Sequence, residues 1–390
     1  MHADLEFLGA GSPGPGLRPL WQLERSMHFL NHGSFGATPR HVLKAQDAWR
    51  LRLERQPVRF MGAELPGALR AAAARLAGFL GSTGERLALV ENATDGVNAV
   101  LRSIDWRRGD EIVLANHAYR AVRHSIDFLA RRHRLQVKLA QVDFPFDRVE
   151  HPAQAYCDAI SARTRLAIVD HVFSPLAVVT PLAPVLQHCK RLGVAVLVDG
   201  ANAPAMLPLS LDALGADWYV GNCHKWLFAP KGCAFLHAAQ ANRVPVHPTV
   251  ISNFHGSGFP LEFDWQGTRD YSGWLALGAA LDFLEAFGVQ RYRDFLRLQA
   301  RQAARLLCAH WQVELPAPVD SFAAMVTLAL PGTEAATLEN AQRWHDRLWQ
   351  EYRVEVPVLS LNGRLWVRIS AQIYNALSDY EALALALRPV

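Results

Sequence analysis

The chain has 390 residues, 51% of them hydrophobic and 19% charged, which excludes a disordered chain and points to one large and one smaller domain. The net charge is only +4, and no basic stripe carries interleaved aromatics, so nucleic-acid binding is not expected. Five cysteines without a C-x-x-C pair argue against a disulfide framework or a zinc site, so no metal is expected. They suit a reducing, cytoplasmic setting.

Residues 1–20 include a Gly/Pro-rich stretch (GAGSPGPGLRP) that reads as a flexible arm, without the basic-then-apolar pattern of a secretory signal. No apolar run approaches the roughly 20 residues that span a bilayer, so no membrane partner is expected. From about residue 66, short apolar runs alternate with helix-like segments, the signature of an α/β fold with a parallel sheet. The expected strands are Leu87–Val90, Glu111–Leu114, Leu166–Val169, Val194–Val198, Asp217–Val220 and Cys233–Leu236. The expected helices between them are Gly96–Ile104, Ala121–Arg132 and Leu182–Leu192. Runs such as VAVLV are continuously apolar, as for strands buried on both faces. After about residue 270 the pattern changes to helices at 273–287 and 290–311, a strand at 325–330, a helix near 337–350, strands within 353–370 and a last helix from Ser378. The expected division is a large domain over 21–270 and a smaller α/β domain over 271–390, with 21–55 packing on the small one.

Ligands of open parallel sheets bind beyond the carboxyl ends of the strands. The residues just past each apolar run are therefore informative: Glu91 to Gly96, Asn116 and His117, Asp170 and His171, Asp199 to Asn202, and Gly221 to Lys225. One strand end delivers a carboxylate, one a lysine, one an imidazole, and one a small-residue turn opening a helix. Pyridoxal phosphate needs this set. A desolvated lysine forms an imine with its aldehyde, a carboxylate keeps the pyridine nitrogen protonated, and backbone N–H groups at a helix start hold the phosphate.

The segments HFLNHGSFGATPRHVL (28–43), ENATDGVNAVL (91–101), NHAYRAV (116–122), WQGTRD (265–270), LWVRIS (365–370) and the long block 198–232 resemble the class V aminotransferase family of fold-type I pyridoxal-phosphate enzymes, most closely its isopenicillin N epimerase-like branch. The resemblance implies a large domain with a mainly parallel sheet sandwiched by helices and a smaller C-terminal α/β domain. It makes Lys225 the Schiff-base lysine and Asp199 the pyridine-nitrogen partner. Ala93, Thr94 and Asp95 become the phosphate turn, and Asn222 and His224 the phosphate-side residues. His117 takes the ring-stacking place, with Tyr119 as the alternative. Thr268 corresponds to the residue that reaches a neighbouring subunit's phosphate, which implies a homodimer with shared active sites. Arg368 corresponds to the arginine that binds the substrate α-carboxylate, and Asn31 and Ser34 lie in a substrate-side loop.

One departure stands out. Where the family commonly has His or Gln three residues after the aspartate, this chain has Asn202, whose reach is shorter. His32 and His171 are open between pocket and structural roles. Arg55 and Arg59 are open between a pocket entrance and structural ion pairs, and Cys223 reads as packing. The implied substrate is an amino acid. Epimerisation or racemisation at Cα is the first reading, with His117, Tyr119 or water as the acid on the far face. C–S lyase or β-elimination chemistry on a cysteine-derived substrate and transamination are the alternatives. Cysteine desulfuration proper is disfavoured, because 350–364 contains no cysteine. A protein that keeps the cofactor without catalysis is the contrasting reading, and it would show no spectral response to amino acids.

Overall fold

The computed structural model describes residues 13–239 and 244–387. Its centre is a seven-stranded sheet. In chain order the strands are β2 (Leu87–Val90), β3 (Glu111–Ala115), β4 (Gln136–Ala140), β5 (Thr164–Asp170), β6 (Ala195–Asp199), β7 (Trp218–Asn222) and β8 (Ala234–Ala238), after a two-residue β1 (His28–Phe29) that lies elsewhere. Their spatial order is β2-β8-β7-β6-β5-β3-β4, with β8 alone antiparallel to its neighbours. The class is α/β, as the sequence alternation implied.

Period-two alternation sends each strand's side chains to two helical layers. Ala88, Ile112, Leu114, Ile168, Leu197 and Val220 face Val97, Val100, Val122 and Ile126, while Leu89, Val113, Val169 and Val198 face the larger core on the other side. All of these are buried. Each large aliphatic side chain so buried contributes roughly 1.5–3 kcal/mol. Local signals set the helix ends. Asn92 Oδ1 accepts the Asp95 N–H at 2.9 Å and opens the helix Ala93–Ser103. Gly193, at φ 68°, ends Leu182–Leu192 in the left-handed conformation that glycine adopts without a Cβ clash.

The helices Ser272–Leu275 and Leu277–Phe287 pack against Arg40–Arg55 and Leu65–Phe79, and not only against the C-terminal elements. The 23-residue helix Val289–Trp311 then leads to a second, antiparallel sheet. Its strands are β9 (Met325–Ala329), β11 (Val358–Leu361) and β12 (Arg364–Ser370), with β12 central.

The N-terminal segment ties this C-terminal layer to the rest. Of the expected arm over 1–20, residues 1–12 lie outside the described residues. Pro15–Leu20 is not a loose arm but a 3₁₀ helix with Leu17 fully buried, and the Gly14 N–H donates to the Ile373 carbonyl at 2.8 Å. Apolar Leu17 has a core to enter there, which composition alone did not reveal. Next, β1 pairs in parallel with β10 (Val354–Glu355). The Ser370 N–H donates to the Leu30 carbonyl at 2.8 Å. No single helix among the described residues is long and apolar enough to cross a membrane.

Candidate active site

The carboxyl ends of β5, β6 and β7 and the start of the helix Ala93–Ser103 converge on a cleft of about 720 Å³, a volume ordinary for a small-molecule site. Ser34, Ala93, Thr94, Asp199, Asn202, Asn222, His224, Lys225 and Arg368, all expected from the sequence, line it. Asp170, Ser174, Tyr119, Pro357 and Leu359 line it as well.

Lys225 follows β7 in a turn, and its side chain is buried. Nζ donates to Asn202 Oδ1 at 3.0 Å, so the shorter amide reaches the lysine. Burial, and after it the nearby Arg368 charge, push the amine down to about 7, against the opposing pull of Asp199. Near neutral pH about half of such amines are unprotonated and nucleophilic. The Lys225 carbonyl accepts from His32 Nε2 at 3.0 Å, while His32 Nδ1 lies 2.9 Å from the Tyr374 hydroxyl. His32 is therefore a buried structural histidine, and burial pushes it down to about 3.

Asp199 ends β6 and accepts the Ala201 N–H at 3.0 Å. Its strand partner in register is Asp170, at the end of β5. Burial raises both carboxyls above their ordinary range. Asp170, which also feels the Asp199 charge and is bonded to the Tyr156 hydroxyl at 3.0 Å, is raised further. Asp199 therefore sits where a cationic partner is wanted.

At the helix start, the Ala93 N–H donates to Asn222 Oδ1 at 2.8 Å and the Asp95 N–H is taken by the Asn92 cap. Thr94 lies between them on the cleft wall. The Asp95 side chain turns away from the cleft and accepts from Thr249 Oγ1 at 2.9 Å. His224 Nδ1 donates to the Cys233 carbonyl at 3.1 Å, and burial first, then Lys225, push the ring down to about 4, so it is neutral at physiological pH.

Arg368 lies on β12 and enters the cleft from the small sheet. Nη1 donates to the Ser174 carbonyl at 2.6 Å and to Ser174 Oγ at 3.1 Å. Nη2 donates to Ser34 Oγ at 2.9 Å and reaches Asn31 Oδ1 at 3.5 Å. Asn31 is thus behind the arginine and not on the cleft wall. All these acceptors are neutral, and Nε is buried with no partner among the described residues. Burial pushes this guanidinium down to about 10. A buried cation held only by neutral oxygens is a ready receptor for a carboxylate.

Besides Asp95 and Asn31, two further expected positions fall elsewhere. His117 does not line the cleft, and its ring is directed to the Val142 backbone, with Nε2 buried and unpartnered among the described residues. Tyr119, two residues on, lines the cleft instead. In the turn after β3, side chains two positions apart do not point the same way as they would on a strand, so sequence alone could not choose between them. Thr268 is exposed and outside the cleft. Arg59 pairs with Glu64 at 3.6 Å, the structural alternative, and the half-buried His171 bonds the Tyr219 hydroxyl at 2.7 Å. Cys223 is buried packing, and no cysteine lines the cleft among the described residues.

Sequence reasoning places Asp170 among the strand-end residues and Ser174 within a specificity loop over 173–178, but gives neither a role. The position of Asp170 immediately after the apolar LAIV run is a signal of the same kind that marked Asp199.

These groups fit pyridoxal phosphate. A buried amine of low basicity, a buried carboxylate and a helix start face one cavity, and beside them is a guanidinium with no acidic partner among the described residues. The family model for class-V aminotransferases matches residues 36–342. The chain is 34% identical to the isopenicillin N epimerase of Amycolatopsis lactamdurans, over 94% of this chain and 96% of that protein. It is 32% identical to the putative L-cysteine desulfhydrase 1 of Oryza sativa subsp. japonica, over 91% of this chain and 81% of that one. Among solved structures it resembles the cystine C–S lyase C-DES in complex with cysteine persulfide, with a TM-score of 0.78 at 22% identity, covering 96% of this chain and 98% of that one. The chain belongs to the class-V aminotransferase family of pyridoxal-phosphate enzymes.

Proposed function

We propose that this enzyme removes the α-proton of a cysteine-type amino acid and expels the β-sulfur as a thiol, a C–S lyase reaction that also yields pyruvate and ammonia. One observation carries the reading: Lys225 supplies a buried amine of pKa about 7, and among the described residues the one imidazole lining the cleft, His224, is fixed to a backbone carbonyl, while His117 turns away. Elimination needs one base at Cα, whereas epimerisation needs a second acid on the other face. Pyridoxal phosphate, when bound, supplies the electron sink for charge that develops at Cα. Asp199 would hold the proton of the pyridine nitrogen. Thr94, with Asn222 and His224 nearby, would hold the phosphate. Arg368 would fix the substrate carboxylate, which orients the Cα–H bond toward Lys225 Nζ. Lys225 would take the α-proton, the Cβ–S bond would break with its electron pair leaving on sulfur, which picks up a proton, and water would hydrolyse the unsaturated three-carbon remainder to pyruvate and ammonia. The absence of a thiol from the described cleft lining argues against a desulfurase that parks sulfur on its own cysteine.

Epimerisation is the second reading, supported by the Tyr119 side chain on the cleft wall and by the epimerase relatives. Thr268 is exposed and away from this chain's own cleft, which suits service to a neighbouring subunit in a homodimer. Five free thiols suit a reducing compartment such as the cytoplasm. The test is incubation of the yellow holoenzyme with L-cysteine and other amino acids in D₂O. Elimination gives pyruvate and ammonia, with sulfide from L-cysteine or a thiol from an S-substituted cysteine. Deuterium at an inverted Cα with no pyruvate would overturn the lyase reading in favour of epimerisation. Lys225→Ala should abolish either turnover, by at least about 10³-fold.

A further inference from the structure

Away from the cleft, two histidines and a glutamate from the segment after β8 meet at one point. The Glu262 carboxylate is buried, with a side chain 2% exposed, and lies in the short helix Leu261–Asp264. Its Oε1 accepts the N–H groups of Gly256 at 3.1 Å and Gly258 at 3.2 Å. Both glycines have positive φ, 88° and 79°, so the backbone there curls around the carboxylate in a way that side-chain-bearing residues rarely adopt. Oε2 is left for the histidines. His247 Nδ1 is 2.7 Å from it and His255 Nδ1 is 3.7 Å from it. The three ligand atoms lie within 4.8 Å of one another.

We infer that His247, His255 and Glu262 form a binding site for a zinc-type divalent metal ion. Zinc sits about 2.0–2.1 Å from imidazole nitrogen and about 2.0–2.2 Å from carboxylate oxygen, so adjacent ligand atoms in a tetrahedral site stand roughly 3.3 Å apart. The two distances to Oε2 bracket that separation. At 3.7 Å the His255 ring is beyond a hydrogen bond, so bonding to Glu262 alone does not account for its position. Two imidazoles and a carboxylate suit zinc, and not magnesium or calcium, which take oxygen ligands. The Gly256 and Gly258 N–H groups are the outer contacts that fix a ligating carboxylate. His255 is 60% and His247 38% exposed, which leaves a path for the ion and room for water as the fourth ligand.

The expectation of no metal rested on cysteine spacing, to which this set is invisible. The site also touches the cofactor's surroundings. The His247 N–H donates to Ser103 Oγ at 2.9 Å, at the end of the helix that starts at Ala93, and Thr249 bonds Asp95 in that helix's first turn. An ion there clamps the segment that braces the phosphate turn, without taking part in the reaction.

The test uses chelator-treated holoenzyme titrated with zinc alone by calorimetry, and with Co²⁺ by absorption. The inference requires saturable binding of one ion per chain, a rise in Tm on adding zinc, and a Co²⁺ d–d spectrum without thiolate charge-transfer bands. His255→Ala, at an exposed position, should retain the cofactor's yellow absorbance yet bind zinc at least about a hundredfold more weakly. Glu262→Gln should lose the Tm response. No saturable binding, unchanged affinity in His255→Ala, or thiolate bands that place the ion on a cysteine would each overturn it.

Discussion

Arg368→Met keeps much of the side chain's length and apolar volume and removes only the guanidinium. In the native cleft this cation faces Ser174 and Ser34, with Nε unpartnered among the described residues. A substrate carboxylate that takes two charge-assisted hydrogen bonds gains roughly 1.5–3 kcal/mol from each. Part of that gain is spent on displacing water, so a net loss of about 3–4 kcal/mol is expected in the variant. At 1.4 kcal/mol per factor of ten, this is a fall of about 10²–10³ in kcat/KM. Folding responds differently. The variant removes a buried charge that has no acid partner, which favours the folded state, but it leaves the Ser174 carbonyl short of a donor, which opposes it. These terms offset each other, and Tm should move by less than about 5 °C. The assay compares kcat/KM for L-cysteine and for cysteamine, which lacks the carboxylate. The variant should lose its activity on cysteine while its rate on cysteamine hardly changes. Arg368 is also the second cause of the low Lys225 pKa, so the free amine in the apo-variant should titrate at higher pH than in the wild-type apoprotein. An equal loss on both substrates, or no loss on either, would refute the assignment.

Asp199→Asn keeps the shape but loses the negative charge, and turnover should fall about 10²–10³-fold while cofactor absorbance persists, measured by single-turnover kinetics and spectral titration. His32→Gln acts through proton linkage. His32 titrates at about 3 when folded against about 6.5 unfolded, so it favours the folded state fully above 6.5, and that contribution is lost as pH falls from 6.5 toward 3. At one pH unit below 6.5 the loss is about 1.4 kcal/mol. The variant should be less stable at pH 7.5 but show a smaller Tm drop between pH 7.5 and 5.5, measured by thermal melts in matched buffers. An unchanged drop would mean that His171 and His224, both pushed down to about 4 by burial, carry the acid sensitivity. Gly36→Ala introduces a Cβ at φ 73° that runs into the His224 carbonyl and the Lys225 backbone. It should cost about 1–3 kcal/mol and weaken cofactor retention, seen as loss of absorbance on dialysis.

The parts of this molecule that the sequence disclosed are those where one local pattern had one physical outcome. The run LALV became β2 at its expected residues, and Leu182–Leu192 kept both ends, because Gly193 supplies the left-handed stop. Asp199 and Lys225 were legible because strand ends aim side chains at the cleft. β4 was not legible. It is an edge strand with Gln136 and Lys138 partly or fully exposed, so it carries little apolar signal. The reversed direction of β8 leaves no mark in composition. At the phosphate turn, Ala93 and Asn222 were both expected around the anion, and the structure bonds them to each other, a pairing across many residues that spacing cannot convey. His117 and Tyr119 follow the same strand, and the turn's backbone decides which one meets the cavity.

The N-terminal segment links through β1 to β10 and through His32 to the lysine's own carbonyl. Mechanically this couples the C-terminal layer and the Lys225 peptide through one short stretch of chain. A swing of the C-terminal layer would therefore bear on the backbone of Lys225. Opening the backbone between Asn31 and His32 would cut that link while leaving every cleft residue in the chain.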